Sequence, residues 1–207
     1  MTDTILICAG FFGYAREMQR ALEARGRGVA VFEDTPATGS ITKALVRATP
    51  GLMHSRADAY FDAIVAQLKD QPIRDVLVIK GEALSPRAIR RLRAAFRRAR
   101  FTLYFWDSYR NMPPDSRDKV PLFDRAFSFD PRDTAQDARL IYRPLFFVER
   151  FAQLPNVPQD IDVLFFGTIH GDRYAVLRRI ARALPQQLRF EKILYFRAGW
   201  LLSLIHI

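Results

Sequence analysis

Cysteine is almost missing from this 207-residue chain, where Cys8 stands alone. A single thiol cannot close an intrachain disulfide, so a disulfide-stapled scaffold is excluded. Set in an apolar run, Cys8 reads as a small buried hydrophobe in a reducing cytoplasm. Histidine is nearly as scarce: His54, His170 and His206 are too scattered for a metal centre, and no Cys/His ligand spacing occurs. No apolar run reaches the ~18 residues that a membrane-spanning helix needs. The first such run, residues 5–12, lacks a basic stretch before it and contains glycine, so it reads as a first strand and not as a signal peptide. Internal repeats and low-complexity segments are absent as well. A soluble, cytoplasmic protein is expected.

Hydrophobic residues make up 49% of the chain, enough for a substantial core. The net charge is +10; of 32 basic residues five are lysines and 27 are arginines. Such a field suits anionic partners: nucleotide-sugars, phosphorylated lipids, an anionic membrane face or nucleic acid. Equally, the arginines can simply cover solvated faces.

Strand and helix patterns alternate. Residues 5–8, 29–32, 75–80, 101–106, 126–129 and 139–142 read as strands, the third being the buried run Val76-Leu77-Val78-Ile79. Between them, residues 14–25 carry a helical face of Ala15, Met18, Ala21 and Leu22. A short helix is possible over residues 40–47. Ser55, with Asp58 three residues on, has the form of a helix start, followed by a stripe of Phe61, Ile64, Val65 and Leu68. Ser85-Pro86 starts another helix with Pro at its first position. Ile89, Leu92, Phe96 and Ala99 face its core, and Arg90, Arg93, Arg97 and Arg100 lie opposite. That arginine face reads as solvated surface, not as a nucleic-acid or lipid platform.

This alternation predicts an α/β fold with a doubly wound, mostly parallel Rossmann-like sheet over residues 1–143. Residues 144–160, with Pro144, Pro155 and Pro158, read as a linker. Residues 161–201 then open a second Rossmann-like domain: a strand over 161–166, a helix over 172–184 and a strand over 189–196. Residues 202–207 fit nothing before them and match one reading frame of a sequencing-library adapter. The natural frame is expected to part from this sequence near Leu201, leaving a C-terminally truncated chain.

In an open parallel sheet, ligands meet the loops at the carboxyl ends of the strands. Gly10-Phe11-Phe12-Gly13-Tyr14 is a glycine-bearing first turn, but Phe12 stands where the dinucleotide fingerprint needs its second glycine. Glu33 and Asp34, about 20 residues on, suit a ribose contact in that scheme, which keeps a nicotinamide-dependent oxidoreductase open. Glu82 and Asp107 end neighbouring strands, and either can act as a general base toward an acceptor hydroxyl. The alternatives are a helix-capping role for Glu82 near Ser85 and a pairing of Asp107 with Arg110. In Gly167-Thr168-Ile169-His170-Gly171-Asp172-Arg173, two glycines bracket a turn before a helix. Backbone amides there, with Arg173, can hold a diphosphate; alternatively Asp172 is a plain N-cap and Arg173 is exposed.

Tyr142-Arg143-Pro144-Leu145 through Val148-Glu149-Arg150-Phe151 is similar to the interdomain linker of GT-B glycosyltransferases. Asp162 to Thr168, followed by Arg173, looks like the strand and loop that open their donor domain. Gly10 to Tyr14, Val78-Ile79-Lys80-Gly81-Glu82 and Tyr104-Phe105-Trp106-Asp107-Ser108 resemble the branch related to spore-maturation proteins and to capsule or lipopolysaccharide biosynthesis. The resemblance implies sugar transfer from a nucleotide-sugar co-substrate to a hydroxyl of a glycan or lipid-linked acceptor. It implies no required bound metal, no nucleic-acid partner, and a cytoplasmic place that extends to the inner membrane face. Carried over by position, Gly167, Thr168 and Arg173 would lie near the donor phosphates, and Gly13, Tyr14, Glu82 and Asp107 near the acceptor. A later acidic motif of the family, which holds the donor ribose or sugar, is not found in these 207 residues. A non-catalytic sugar-binding or polysaccharide-assembly adaptor on the same fold is the further alternative.

Overall fold

The structure is a computed structural model that describes residues 1–10, 13–34, 50–153, 158–169 and 171–195. The short helix expected over 40–47 and the tail over 202–207 lie outside them. Two compact units divide the chain, Met1–Val148 and Glu149–Ile207.

The first unit holds β1 (Thr4–Ile7), α1 (Tyr14–Glu23), β2 (Val29–Phe32), α2 (Pro50–Leu68), β3 (Asp75–Ile79), α3 (Pro86–Ala95), β4 (Arg100–Phe105), α4 (Ser116–Lys119), β5 (Arg125–Ser128), α5 (Pro131–Gln136) and β6 (Leu140–Tyr142). The six strands form one wholly parallel sheet in the order β2-β1-β3-β4-β5-β6. This is the doubly wound, Rossmann-like α/β class that the alternating pattern predicts. The order reverses between β1 and β3: the chain leaves β1 toward β2 and then returns to β1's other side. In open α/β sheets of this kind, ligands bind outside the carboxyl ends of the strands at such a switch point.

Burial on both faces explains why the strands read as continuous apolar runs. Ile5, Ile7, Val76, Val78, Phe101, Leu103 and Phe105 pack with Phe61, Ile64 and Leu68 of α2 and with Ile89 and Leu92 of α3. Leu6, Cys8, Ile79 and Tyr104 face the other way, toward Ala15 and Met18 of α1. No residue of α1 is fully buried, so its apolar face is a partial cover.

Three expectations change. The helix that Ser85-Pro86 starts ends at Ala95, so Arg97 and Ala99 lie beyond it and Arg100 is the first residue of β4. The second helix begins at Pro50, which places Ser55 inside it and not at its cap. Proline is favoured at a helix's first turn, where its missing N–H costs nothing, and that signal outweighs the serine–acid spacing. Asp58 instead accepts a hydrogen bond from Ser85 Oγ at 2.6 Å. The first unit also runs beyond residue 143 to Val148, because Tyr104 Oη donates to the carbonyls of Arg143 and Pro144 at 3.3 and 2.8 Å.

The second unit contains β7 (Val163–Thr168), α6 (Arg173–Ala183) and β8 (Phe190–Tyr195), a parallel strand pair joined through the helix. Leu177 and Leu194 are buried, whereas Leu164 and Phe166 lie on an exposed face.

Candidate functional site

The carboxyl end of β3 carries a left-handed turn with a charged cluster. Two successive residues there adopt left-handed backbone angles, Lys80 at φ 67° and Gly81 at φ 66°. For glycine this costs little, but for lysine it costs about 1–2 kcal/mol. The turn is fixed by Lys80 N–H donating to Tyr104 O at 3.0 Å and Gly81 N–H donating to Ile79 O at 2.9 Å. A β-carbon on Gly81 would also press on Val78 Cγ1 at 3.0 Å.

The turn brings Lys80 Nζ between two carboxylates: Glu82 Oε1 at 3.0 Å and Asp107 Oδ2 at 2.7 Å. The lysine side chain is 15% exposed, against 40% for Glu82 and 42% for Asp107, so the cation lies beneath and the acids outside. Burial works against the ammonium, but its bonds to Asp107 and Glu82 outweigh that and hold its pKa above the ordinary lysine value. Glu82 and Asp107, predicted as a pair at adjacent strand ends, are therefore brought together. Neither takes its alternative role, since Ser85 caps α3 through Ala88 N–H and Lys80 is the ion partner of Asp107.

A second lysine supports the same turn from inside. Lys119, at the end of α4 and 4% exposed, donates to Gly81 O at 3.2 Å and Glu82 O at 3.1 Å, and pairs with Asp115 at 3.2 Å. Sequence reasoning missed both lysines as site-builders. No local signal marks them: Lys119 reaches the Gly81 and Glu82 carbonyls from a helix 37 residues or more away in the chain. A compact, rotatable ammonium can bond two carbonyls at once inside a protein, where a guanidinium fork is bulkier and planar.

Gly13 takes φ 73° as the N-cap of α1, and Tyr14 is the helix's first residue. The Tyr14 ring meets Trp106 edge-on at 6.0 Å and Phe146 at 5.6 Å, while Trp106 and Phe146 are 5.5 Å apart. This aromatic cluster adjoins Asp107 through Trp106 in the chain. At the end of β2, Glu33 accepts a hydrogen bond from Gly10 N–H at 3.0 Å, and Asp34 is 3% exposed. Asp130 caps α5 through Arg132 N–H and accepts from Ser108 Oγ, a structural role. Among the described residues no cluster of His, Cys, Asp and Glu is arranged to hold a metal ion. Nor is any described helix long and apolar enough to cross a membrane.

In the second unit, Arg173 folds back over the turn that follows β7. Its Nη1 donates to Thr168 O at 2.8 Å, its guanidinium lies 5.8 Å from the Phe165 ring centroid, and Nη1 is 3.8 Å from where a β-carbon of Gly167 would stand. Gly167, Thr168 and Arg173 are thus neighbours at the N-terminus of α6. Asp172 occupies the N-cap position without a side-chain capping bond. Known protein-family models give no match to this chain, and neither do curated protein sequences.

Proposed function

We propose that the chain carries the acceptor-side domain, and the opening of the donor-side domain, of a GT-B glycosyltransferase. It moves a sugar from a nucleotide-sugar to a hydroxyl acceptor in the assembly of surface polysaccharide or lipopolysaccharide. The observation that carries this reading is the Lys80-bridged pair of Glu82 and Asp107 at the carboxyl ends of β3 and β4. A carboxylate there takes the proton of the acceptor hydroxyl as its oxygen bonds to the anomeric carbon of the donor. The bond from that carbon to the phosphate oxygen breaks, and the nucleoside diphosphate leaves with the electron pair. The N-terminus of α6, with Arg173 beside Gly167 and Thr168, suits that diphosphate.

One observation favours a second reading, a nicotinamide-dependent oxidoreductase. Glu33 at the end of β2 lies against Gly10 of the first turn, where an acid can take ribose hydroxyls. Thermal melting of the protein expressed from its intact gene separates the two. A ligand at about 100 times its Kd stabilises the folded state by about 2.7 kcal/mol. A raised melting temperature with UDP, GDP or TDP, or with their sugar conjugates, supports transfer. Stabilisation by NAD or NADP alone overturns it, and glycan binding with no response to any nucleotide favours a non-catalytic adaptor.

A further inference from the structure

The arrangement beneath Glu82 and Asp107 bears on what they hold. Building on the transferase reading, we propose that Lys80 is a positioning residue that sets Glu82 and Asp107 as paired acceptors for two hydroxyls of one uncharged sugar ring. The acceptor is then a neutral glycan end and not a phosphorylated lipid.

Three observations lead there. First, Lys80 takes one oxygen from each carboxylate, Oε1 of Glu82 and Oδ2 of Asp107. The Glu82 and Asp107 side chains are 40% and 42% exposed, so each carboxylate is open to a ligand from solvent. The two acids belong to neighbouring strands, about 4.8 Å apart in such a sheet, which is the scale of one sugar ring. Second, the support is rigid. Lys119 ties down the Gly81 and Glu82 carbonyls, and the Lys80 N–H is bonded to β4. A turn held on both sides keeps the carboxylates in place before a ligand arrives, which lowers the ordering cost of binding. Third, acids gather at the ends of β2 to β4 although the chain is basic. Glu33, Asp34, Glu82 and Asp107 follow those strands, with Lys80 already engaged by two of them, whereas Arg110 and Arg132 lie farther along the edge, beside Asp130. A phosphate brought here meets like charge, whereas hydroxyls find acceptors. Trp106, Tyr14 and Phe146 supply the apolar flank that the CH face of a sugar needs.

The test is saturation-transfer NMR on the protein from its intact gene, with methyl hexopyranosides as neutral probes and glucose 1-phosphate as the anionic one. Wild type is expected to respond to at least one methyl hexopyranoside, and glucose 1-phosphate to displace that probe no more strongly than free glucose does. Lys80→Met should weaken the neutral response about tenfold, as the loss of a charged hydrogen bond implies, while Lys80→Arg restores part of it. Glu82→Gln with Asp107→Asn, two exposed positions, should abolish the response with little change in melting temperature, and keeps the test open if Lys80→Met fails to fold. The inference is overturned if wild type binds no methyl hexopyranoside, or if glucose 1-phosphate displaces the bound methyl hexopyranoside more strongly than free glucose does. It is equally overturned if Lys80→Met, or the doubly neutralised variant, binds as wild type does. Nucleoside diphosphate stabilisation, read on the same samples, reports separately: its presence without a sugar response removes this inference alone, and its absence removes the transferase reading.

Discussion

Replacing Lys119 with methionine tests whether an interior ammonium holds the turn that carries Glu82. Methionine keeps most of the stem's volume and removes the three donors. The Asp115 side chain is 52% exposed and returns to water, so its lost pairing costs under about 1 kcal/mol. The Glu82 residue is exposed, and its carbonyl can be rehydrated. Gly81 is buried, however, and its carbonyl loses the 3.2 Å bond from Nζ. A buried acceptor left without a partner costs about 1–3 kcal/mol. Removing a lysine that is 4% exposed also relieves some desolvation, which trims the loss. A net destabilisation of about 2 kcal/mol follows; at roughly 2–4 °C per kcal/mol for a chain of this size, melting should fall by about 4–8 °C. Urea unfolding is the assay, with the midpoint shifted and the slope unchanged. Hydrogen exchange should also quicken at the Lys80 and Gly81 amides before the rest of the sheet. A change within about 0.5 kcal/mol, the range of ordinary surface substitutions, refutes the supporting role.

Two further outcomes test the pH behaviour of the fold. Cys8 is 1% exposed, and burial, with the Asp34 and Glu33 charges adding to it, pushes its thiol up to about 12. Its stabilising contribution is complete below the unfolded thiol value of about 8.5 and is lost as pH rises toward the folded one, so labelling by Ellman's reagent at pH 8 should proceed only as fast as unfolding; rapid native labelling refutes this. Asp137 accepts hydrogen bonds from Arg139 at 2.7 and 2.8 Å and from Tyr109 Oη at 3.0 Å, and these hold its carboxyl down at about 2. Its contribution is present above the unfolded carboxylate value of about 3.9 and is lost as pH falls toward 2; Asp137→Asn should flatten the melting profile in that window, and an unchanged acid limb sinks the assignment.

How far the fold was legible follows from what hydrophobicity reports. The alternation of apolar runs with amphipathic stretches gave the class and every strand of the sheet, but three of the six strands, β1, β4 and β5, begin one residue before the expected run. The run over 5–8 stands for Thr4–Ile7, and that over 101–106 for Arg100–Phe105. Polar first residues such as Thr4 and Arg100 pair through their backbones, both in register with Asp75, and no apolar signal marks them. The strand order is set by which side of β1 each crossover returns to, a tertiary choice with no local signature. Glu82 and Asp107 were visible because strand ends in a parallel sheet are privileged positions. Their partner was not: Lys80 falls in the centre of a quoted motif, yet its role depends on a left-handed turn that sequence periodicity does not encode.

The net charge of +10 gives a misleading guide to the first unit, because charge is partitioned by position. At the amino edge of the sheet, Arg27 pairs with Asp3 and Asp75, and Arg100 pairs with Asp75 as well. On the helices, Arg91 meets Asp62, and Arg93 meets Asp124 while lying over the Phe101 ring. Each exposed pair contributes little stability, but together they spend basic charge far from the carboxyl edge. At that edge Glu33, Asp34, Glu82 and Asp107 follow β2 to β4, and Lys80 is paired with Glu82 and Asp107, while Arg110 and Arg132 act on Asp130. In the second unit α6 has the opposite balance, with Arg173, Arg178, Arg179 and Arg182 along a helix that contains no acid. On the proposed transferase reading this asymmetry has a use. A nucleotide-sugar is anionic, and an acceptor edge that attracted it would be blocked by the wrong substrate. Repulsion at the first unit and attraction at the second would then sort the two substrates by charge before any specific contact forms. Neutralising the first-unit acids should therefore let nucleoside diphosphates bind at the sugar edge as well, seen as a saturation-transfer signal from UDP in the Glu82→Gln, Asp107→Asn variant that exceeds the wild-type signal; a UDP signal identical to wild type removes the sorting argument while leaving the sugar site to its own test.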